Sequence, residues 1–538
     1  MTQTPEPTPT STQPSLPTQS ARASTPSTAP STTSSTTTDR RTGDHGSRPA
    51  EAPTTAPAPK THLEPGEVVV IAVLAVSAFI VIFNEMVMGV ALPQVMAELN
   101  ITAATGQWLT TAYALTMAVI IPATGFLMQR FNMRPLFVAT MALFTVGTAI
   151  AALAPTFEVL LTGRIVQAAG TATLAPLMMA TTFRLAPEGR RGSLMALTTA
   201  VGAVAPAIGP AISGLIVANL SWRWIFILVL PLAAIALVVG GILMRNLTTP
   251  VPSSIDATSL ILAAIGFGAL VFGLASAHDT SGGHLPTSSL LAVVLGLAGI
   301  AAFVLRQRRL QRRDAALLDM RIFTHRGFTL ASIVVLFLVS TAFGVGVLLP
   351  LVLQDVLGLG VLETGLLLVP GGAAIAIVSA IVGRLYEKTG PRTLVIIGAL
   401  IDVAALWFMS TATPERPVAV ILLTHLAICT GQAFMWTALF TLALASLPEN
   451  LYGHGSAALN TLQQLGGAIG VAVLITVLTI TSDAGDPAAN AGGGSLAGVQ
   501  GAFTAAAVIA AAAVIGALFL PGRAKTTGTG TVPVSTGH

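Results

Sequence analysis

Three ionisable side chains lie inside long apolar runs of this sequence: Glu85, Arg164 and Asp402. A charged group at bilayer depth costs about 2.5–3.5 kcal/mol on insertion scales, so each is a functional candidate by default. A carboxyl withdrawn from water favours its neutral form. One that alternates between two environments can therefore take up a proton in one and release it in the other. Glu85 is the candidate for that role; the alternative is a packing carboxyl that is permanently protonated or hydrogen-bonded. Arg164 stays charged at any accessible pH. It is the candidate for tuning a nearby acid, with Glu85 the partner to expect, or else a structural hydrogen-bond hub. Asp402 is a candidate second proton site, or a protonated or locally paired residue at a helix interface.

A second constellation is mechanical. Gly202, Pro206, Gly209, Pro210 and Gly214 follow one another within a single apolar run. Glycine removes side-chain bulk and proline removes a helix hydrogen bond, so the run favours close packing and bending. Enzyme chemistry has no comparable signal. The eight histidines are dispersed, the single cysteine, Cys429, excludes an internal disulfide and a cysteine-based metal site, and no phosphate-binding glycine loop is present. No cofactor or metal is expected. Work would have to be drawn from an ion gradient, which supplies about 2.3 kcal/mol per charge at 100 mV.

The elements that position these residues are membrane spans. Hydrophobic residues form 53% of the chain and charged ones 9%, with a mean hydropathy of +0.80. A soluble protein carries about 25% charged residues, so lipid is the solvent here. The net charge of +4 and pI near 9.7 do not indicate a nucleic-acid partner, because the basic residues sit in short clusters between apolar runs. Fourteen runs near the 20-residue length of a membrane helix extend from about 68–92 to about 499–520, the weakest being 257–277 and 289–305.

Basic loops support that count. With the N-terminus cytoplasmic, the inside loops hold Arg130, Arg134, Arg184, Arg190, Arg191, Arg245, the 306–326 cluster, Arg384, Lys388 and Arg392; outside loops hold only Arg223 and Arg416. Both termini are then cytoplasmic, in a multi-pass protein of the plasma membrane. The 306–326 segment mixes arginine with Leu, Met, Ile and Phe. It reads either as a plain orienting loop or as a short amphipathic helix against anionic lipid.

Two loops repeat a pattern. Gly125, Arg130 and Arg134 follow the second span as Gly383, Lys388 and Arg392 follow the tenth, each reading Gly-x-Leu-x-x-basic-x-x-x-Arg. If the seventh and eighth spans are an insertion, both loops follow the second helix of a six-helix half. The expected organisation is a Thr/Ser/Pro-rich tail over 1–64 that is disordered and cytoplasmic, a six-helix half over 65–245, and a two-helix insertion with basic loop over 246–326. A second half over 327–520 and a cytoplasmic tail over 521–538 complete it.

Several motifs occur in one order: Phe83-Asn-Glu-Met-Val-Met-Gly-Val-Ala-Leu-Pro93, Gln107-Trp-Leu-Thr-Thr-Ala-Tyr113, Gly163-Arg-Ile-Val-Gln-Ala-Ala-Gly170, Ala205-Pro-Ala-Ile-Gly-Pro-Ala-Ile-Ser-Gly214, Trp222-Arg-Trp-Ile-Phe226 and Asn460-Thr-Leu-Gln-Gln-Leu-Gly-Gly-Ala-Ile-Gly470. Over roughly 66–520 the chain resembles the major facilitator superfamily, in particular its fourteen-helix drug:proton antiporters of the lincomycin-resistance type. Gln129 departs from the Asp usual in the superfamily loop motif. The resemblance implies an all-α membrane protein with two six-helix halves plus two extra central helices, acting as a monomer. It implies proton-coupled efflux of small amphipathic drugs, and it associates the 205–214 motif with antiport.

A drug pocket is apolar and aromatic with a few polar groups. Candidates are Trp108, Tyr113, Gln167, Gln354, Gln432, Trp436, Asn460, Gln463 and Gln464, of which the last three share one helix face that the resemblance points inward. Rival readings are a dedicated exporter of an endogenous metabolite or antibiotic, a sodium-coupled carrier, and a non-transporting membrane sensor.

Overall fold

A computed structural model describes residues 62–246, 256–276, 287–313, 315–411, 413, 416–483 and 496–522. The readings of the tail before residue 62 and of the tail after residue 522 lie outside these. The described chain is helical throughout, with no strand among the described residues. Fourteen long helices follow in order: α1 (Pro65–Leu99), α2 (Ala103–Arg130), α3 (Met133–Ala152), α4 (Phe157–Leu185), α5 (Arg191–Asn219), α6 (Arg223–Leu243), α7 (Ala257–Ala275), α8 (Thr287–Leu310), α9 (Arg326–Leu351), α10 (Val361–Thr389), α11 (Pro391–Ser410), α12 (Val418–Ala445), α13 (Tyr452–Asp483) and α14 (Leu496–Leu518). Each of the fourteen expected spans falls on one of them, including the two weakest.

Thirteen of these are long and apolar enough to cross a membrane. The fourteenth, α4, carries Arg164 and Gln167 and is buried by protein along almost all of its second half. A helix sheathed by other helices does not need a lipid-compatible surface.

Local chemistry sets the helix ends. Pro65 opens α1, and the backbone N–H of Glu64 donates to the Glu67 carboxylate at 3.0 Å. Asn100 closes α1 in the left-handed region, φ 52°, where Asn is tolerated better than most residues. Gly390, at φ 80°, and Pro391 divide α10 from α11.

Helices from the two ends of the chain meet chiefly where α2 lies against α13 and α5 runs along α10, with α4 touching α13 and α5 touching α12 as well. The α7–α8 hairpin packs through glycines, where a Cβ on Gly296 would stand 2.5 Å from the Leu270 nitrogen. Its α7 face lies against α2 and α13, with Phe272 stacked on Trp108 at 6.1 Å.

The 306–326 segment is not an amphipathic helix lying flat on lipid. After α8 it makes two short 3-10 turns, Gln311–Arg313 and Met320–Thr324, and its apolar residues Leu317, Leu318 and Ile322 are buried in the bundle. Leu317 packs with Ala123 and Phe126 of α2. Leu318 and Ile322 join the large core that contains Phe328 and Phe183. Burial among helices removes more apolar surface from water than an interfacial pose would.

Candidate functional site

Three N-terminal helices bring the site together. Glu85 on α1 is partly buried, whereas Tyr113 on α2 and Arg164 on α4 are 2% and 1% exposed. The Arg164 guanidinium donates through Nη1 to Gln167 Oε1 at 2.7 Å and to Asn84 Oδ1 at 3.4 Å. Its Cζ lies 4.0 Å from the centroid of the Tyr113 ring. The Tyr113 hydroxyl hydrogen-bonds Thr171 Oγ1 at 2.7 Å, and Gln167 Nε2 donates to Thr148 Oγ1 at 2.8 Å. Glu85 interacts electrostatically with Arg164 across this network, but no hydrogen bond joins them. The two residues sit on adjoining helices, α1 and α4, without a direct bond between them.

This arrangement places a carboxyl, whose charge depends on protonation, beside a guanidinium, whose charge does not. Arg164 Nε and Asn84 Nδ2 are buried without a hydrogen-bond partner among the described residues. The guanidinium therefore has unused donor capacity for a second arrangement. Asn84, Thr148 and Thr171 were not singled out from sequence. Asn84 had a usable signal, a polar amide deep in an apolar run beside Glu85. The threonines had none, because a helical Thr hydroxyl commonly bonds its own backbone, as Thr148 also does to Phe144 O at 2.7 Å.

Asp402 lies apart from this network, on α11. It is 1% exposed, and its Oδ1 has no hydrogen-bond partner among the described residues. Internal symmetry locates it. In the N-terminal half α3 crosses α4 at Gly147 and Gly163, where a Cβ on Gly163 would stand 3.0 Å from Gly147 O and 2.9 Å from Ala151 N. In the C-terminal half α11 crosses α12 at Gly398 and Gly431. There a Cβ on Gly431 would stand 2.6 Å from Gly398 O and 2.9 Å from Asp402 N. Asp402 thus occupies the counterpart of Ala151, and Gln432, which follows Gly431, is the counterpart of Arg164.

The loop glycines have equivalent jobs. A Cβ on Gly125 would stand 2.9 Å from His454 Cα on α13; one on Gly383 would stand 2.9 Å from Ser193 Cα on α5. Each lets two helices close at the end of the bundle that carries the basic loops. Further contacts tie that end together. Gln129 Nε2 donates to Asn450 O at 3.1 Å, Ser456 Oγ to Pro176 O at 2.6 Å, and Gly192 N to Glu387 Oε1 at 3.2 Å. Arg184 pairs with Glu449 at 2.8 Å. Arg134 Nε caps Gly241 O at 2.7 Å, while Arg130 is partly buried and Arg392 exposed.

In α5 the small residues divide into two roles. Ala207 meets Gly372 of α10, and Gly209 faces Met86 of α1. Gly202 and Gly214 have open space where a Cβ would be, and Pro206 is partly buried. Nothing is described for the side chain of Pro210.

Of the substrate candidates, Gln167 and Tyr113 belong to the Arg164 network. Trp108 is 44% exposed and stacked on Phe272. Trp436 stacks on Phe440 at 5.6 Å. Gln432 is buried, and Gln354 is partly buried in a π-helical turn after α9. Asn460 Nδ2 is occupied by Ser456 O at 2.9 Å, leaving Gln463 and Gln464 partly buried on α13.

Fourteen long helices, tied together at the end that carries the basic loops and holding a buried charge network at mid-helix, are the architecture of a membrane transporter. The chain belongs to the Major Facilitator Superfamily, whose family model matches residues 74–471. It is 38% identical over 455 residues to the lincomycin resistance protein LmrB of Bacillus subtilis, covering 83% of this chain and 94% of that protein. It is 31% identical to a multidrug resistance protein B homolog of Mycobacterium tuberculosis, covering 73% of each. Among solved structures, the human organic anion transporter MFSD10 matches with a TM-score of 0.59 at 15% identity, covering 84% of this chain and all of that one. The proton:xylose symporter XylE matches at 0.58 and 17%, covering 85% and 96%.

Proposed function

We propose that this chain is a proton-coupled exporter of small amphipathic drugs or antibiotics, working in the plasma membrane as a monomer with both termini cytoplasmic. The observation that carries this reading is the placement of Glu85 beside Arg164 on adjoining central helices. Protonation of Glu85 removes the negative charge facing Arg164 and leaves the guanidinium to Gln167, Asn84 and Tyr113. Deprotonation restores an attraction that can compete with those partners. Arg164 thereby links proton occupancy to the packing of α1, α2 and α4, and two arrangements of one cation provide the bistable element that alternating access requires. Asp402 serves as a second proton site in the other half. The basic end, held together by these contacts, is the cytoplasmic gate.

The halves are assigned to 65–245 and 327–520, with 246–326 as the insertion between them. Efflux, rather than uptake, is favoured by the similarity to lincomycin and multidrug resistance proteins and by the small-residue run of α5. The test uses inverted membrane vesicles energised to an internal acid pH and reported by a pH-gradient dye. Addition of lincomycin-like and cationic drugs should collapse the gradient, and Glu85→Gln should abolish the response while leaving membrane insertion intact. Drug-driven proton release at the unmodified rate from the Glu85→Gln protein would overturn the assignment. A response that follows sodium at constant pH would replace the proton with sodium.

A further inference from the structure

The end of α8 and the 3-10 turn after it carry four arginines outside the network around Arg164. Arg308, Arg309, Arg312 and Arg313 are exposed, and no described residue pairs with them. Their neighbours Arg306 and Arg321 are already held. Arg306 makes two hydrogen bonds to Asp256, at 2.6 and 2.8 Å, and Arg321 binds Asp319 at 2.8 Å. The described acids near this turn are therefore spent on other cations.

The position of the cluster is fixed with respect to lipid. The outer face of α8 exposes Leu290, Leu291, Val294, Leu295 and Leu305 at 56–64%. At 1.5 Å per residue, Arg308 lies about 31 Å along the helix from Thr287, one hydrocarbon thickness of roughly 30 Å. The arginines thus begin where the acyl region ends.

The turn is also held in shape. Gln307, fully buried, accepts from the backbone N–H groups of Leu317 and Leu318 at 2.8 and 3.4 Å and donates to Ser259 Oγ at 2.7 Å. The chain after the cluster is thereby turned back into the bundle, where Leu317 and Ile322 are 1% and 0% exposed. The guanidiniums project from a stapled base rather than from a loose loop.

We propose that Arg308, Arg309, Arg312 and Arg313 form a docking site for anionic phospholipid headgroups of the adjoining leaflet. Four cations in six residues suit a headgroup with two phosphates, and guanidinium matches phosphate oxygens bidentately. The occupant is a membrane lipid rather than a soluble phosphate because the exposed aliphatic face of α8 leads directly to the site and accommodates acyl chains. Each arginine near an anionic surface strengthens partitioning roughly fivefold. Because Leu317 touches α2 while Leu318 and Ile322 enter the core shared with α9 and α13, an occupied site also braces the closed basic end.

The test uses the purified full-length chain in non-ionic detergent, with cardiolipin, phosphatidylglycerol or phosphatidylcholine added as mixed micelles. Lipid retention is read by native mass spectrometry and unfolding by thermal midpoint. The unmodified protein should retain cardiolipin over phosphatidylcholine and melt at higher temperature with it. R308Q/R309Q/R312Q/R313Q should lose that retention at least tenfold, while R308K/R309K/R312K/R313K keeps most of it. The paired variants R308Q/R309Q and R312Q/R313Q should show intermediate losses, which reads the site even if the fourfold glutamine protein folds poorly. Equal cardiolipin retention by the glutamine variants would overturn the proposal. So would an equal loss in R190Q/R384Q, exposed arginines of the same end, or an equal thermal shift with inorganic phosphate alone.

Discussion

Arg164 on α4 lies over the ring of Tyr113 on α2, with its Cζ 4.0 Å from the ring centroid. A fully buried guanidinium without a carboxylate hydrogen bond is costly unless other groups replace its hydration. The electron-rich face of Tyr113, the Gln167 carbonyl and the Asn84 carbonyl perform that replacement. The arrangement keeps Arg164 charged and close to Glu85 without binding the two into a permanent ion pair. A permanent pair would hold α1 and α4 in one relation, whereas a proximity can be exchanged.

The Tyr113 ring and its hydroxyl make separable contributions. Tyr113→Phe keeps the cation–π contact and loses only the bond to Thr171 at 2.7 Å. Tyr113→Leu loses both, including a desolvated cation–π interaction of about 2 kcal/mol. Drug-driven proton release should fall by no more than a few-fold in the Phe protein and by tenfold or more in the Leu protein. Equal activity of both would show that the ring face does not support Arg164.

Helix crossings at glycine give a prediction about stability. A Cβ on Gly398 would stand 2.6 Å from Gly431 O, and one on Gly147 would stand 2.7 Å from Gly163 O. Both obstacles are backbone, so the helices must separate. Overpacking of this kind costs about 1–3 kcal/mol. Gly147→Ala and Gly398→Ala should lower the unfolding midpoint in detergent by several degrees. Gly202→Ala, with open space at that point, should not.

The parts legible in the sequence were those whose signal is one-dimensional. Apolar runs of about 20 residues announce spans whatever surrounds them, and a charge inside such a run is visible without knowing its neighbours. Glu85, Arg164 and Asp402 stood out on that ground. The paired glycine crossings did not, because the meaning of Gly431 depends on Gly398 standing opposite on another helix. The 315–322 segment was obscured for a related reason. Its arginine neighbours dominate the local pattern, and nothing local states that Leu317 and Ile322 go inward. Gln129, a departure from the usual loop residue, proves to be a contact with Asn450 across the α2–α13 boundary.

The α7–α8 hairpin should depend on acid at its open end, where α7 begins and α8 ends. The Arg306 guanidinium, bonded twice to Asp256, holds that carboxyl well below the usual carboxylate range. A depressed carboxylate contributes stability that is fully present above its ordinary pKa of about 4 and is lost as the pH falls below that value. The pair is partly exposed, so its contribution is about 1 kcal/mol. Asp256→Asn should therefore destabilise the protein slightly at pH 7, with the difference from the unmodified chain shrinking as the pH falls below 4. A difference that grew on acidification would contradict this linkage.

Closure of the basic end can be trapped directly. Gln129 and Asn450 meet across α2 and the start of α13, with Gln129 Nε2 3.1 Å from Asn450 O. In a Cys429→Ser background, which removes the single native cysteine, Gln129→Cys and Asn450→Cys should be joined by a short bis-methanethiosulfonate linker, which spans the reach of the Gln129 side chain. The cross-link should stop export, and reduction should restore it. Cross-linking without loss of export would mean that these helix ends do not separate during transport.

Asp402 separates a proton-carrying role from a packing role. Its carboxyl has a buried oxygen without a partner among the described residues, at the position that Ala151 takes in the matching crossing. Leaving a buried polar atom unpaired costs about 1–3 kcal/mol, so a residue kept only for packing would be better as alanine. Asp402→Ala should accordingly raise the unfolding midpoint, or leave it unchanged, while Asp402→Asn preserves volume without a titrating proton. If Asp402 carries a proton in the cycle, both variants should move fewer protons per drug molecule, measured by paired dye and radiolabel fluxes in the same vesicles. An unchanged ratio in both, with export intact, would remove Asp402 from the coupling machinery and leave Glu85 as its only carboxyl.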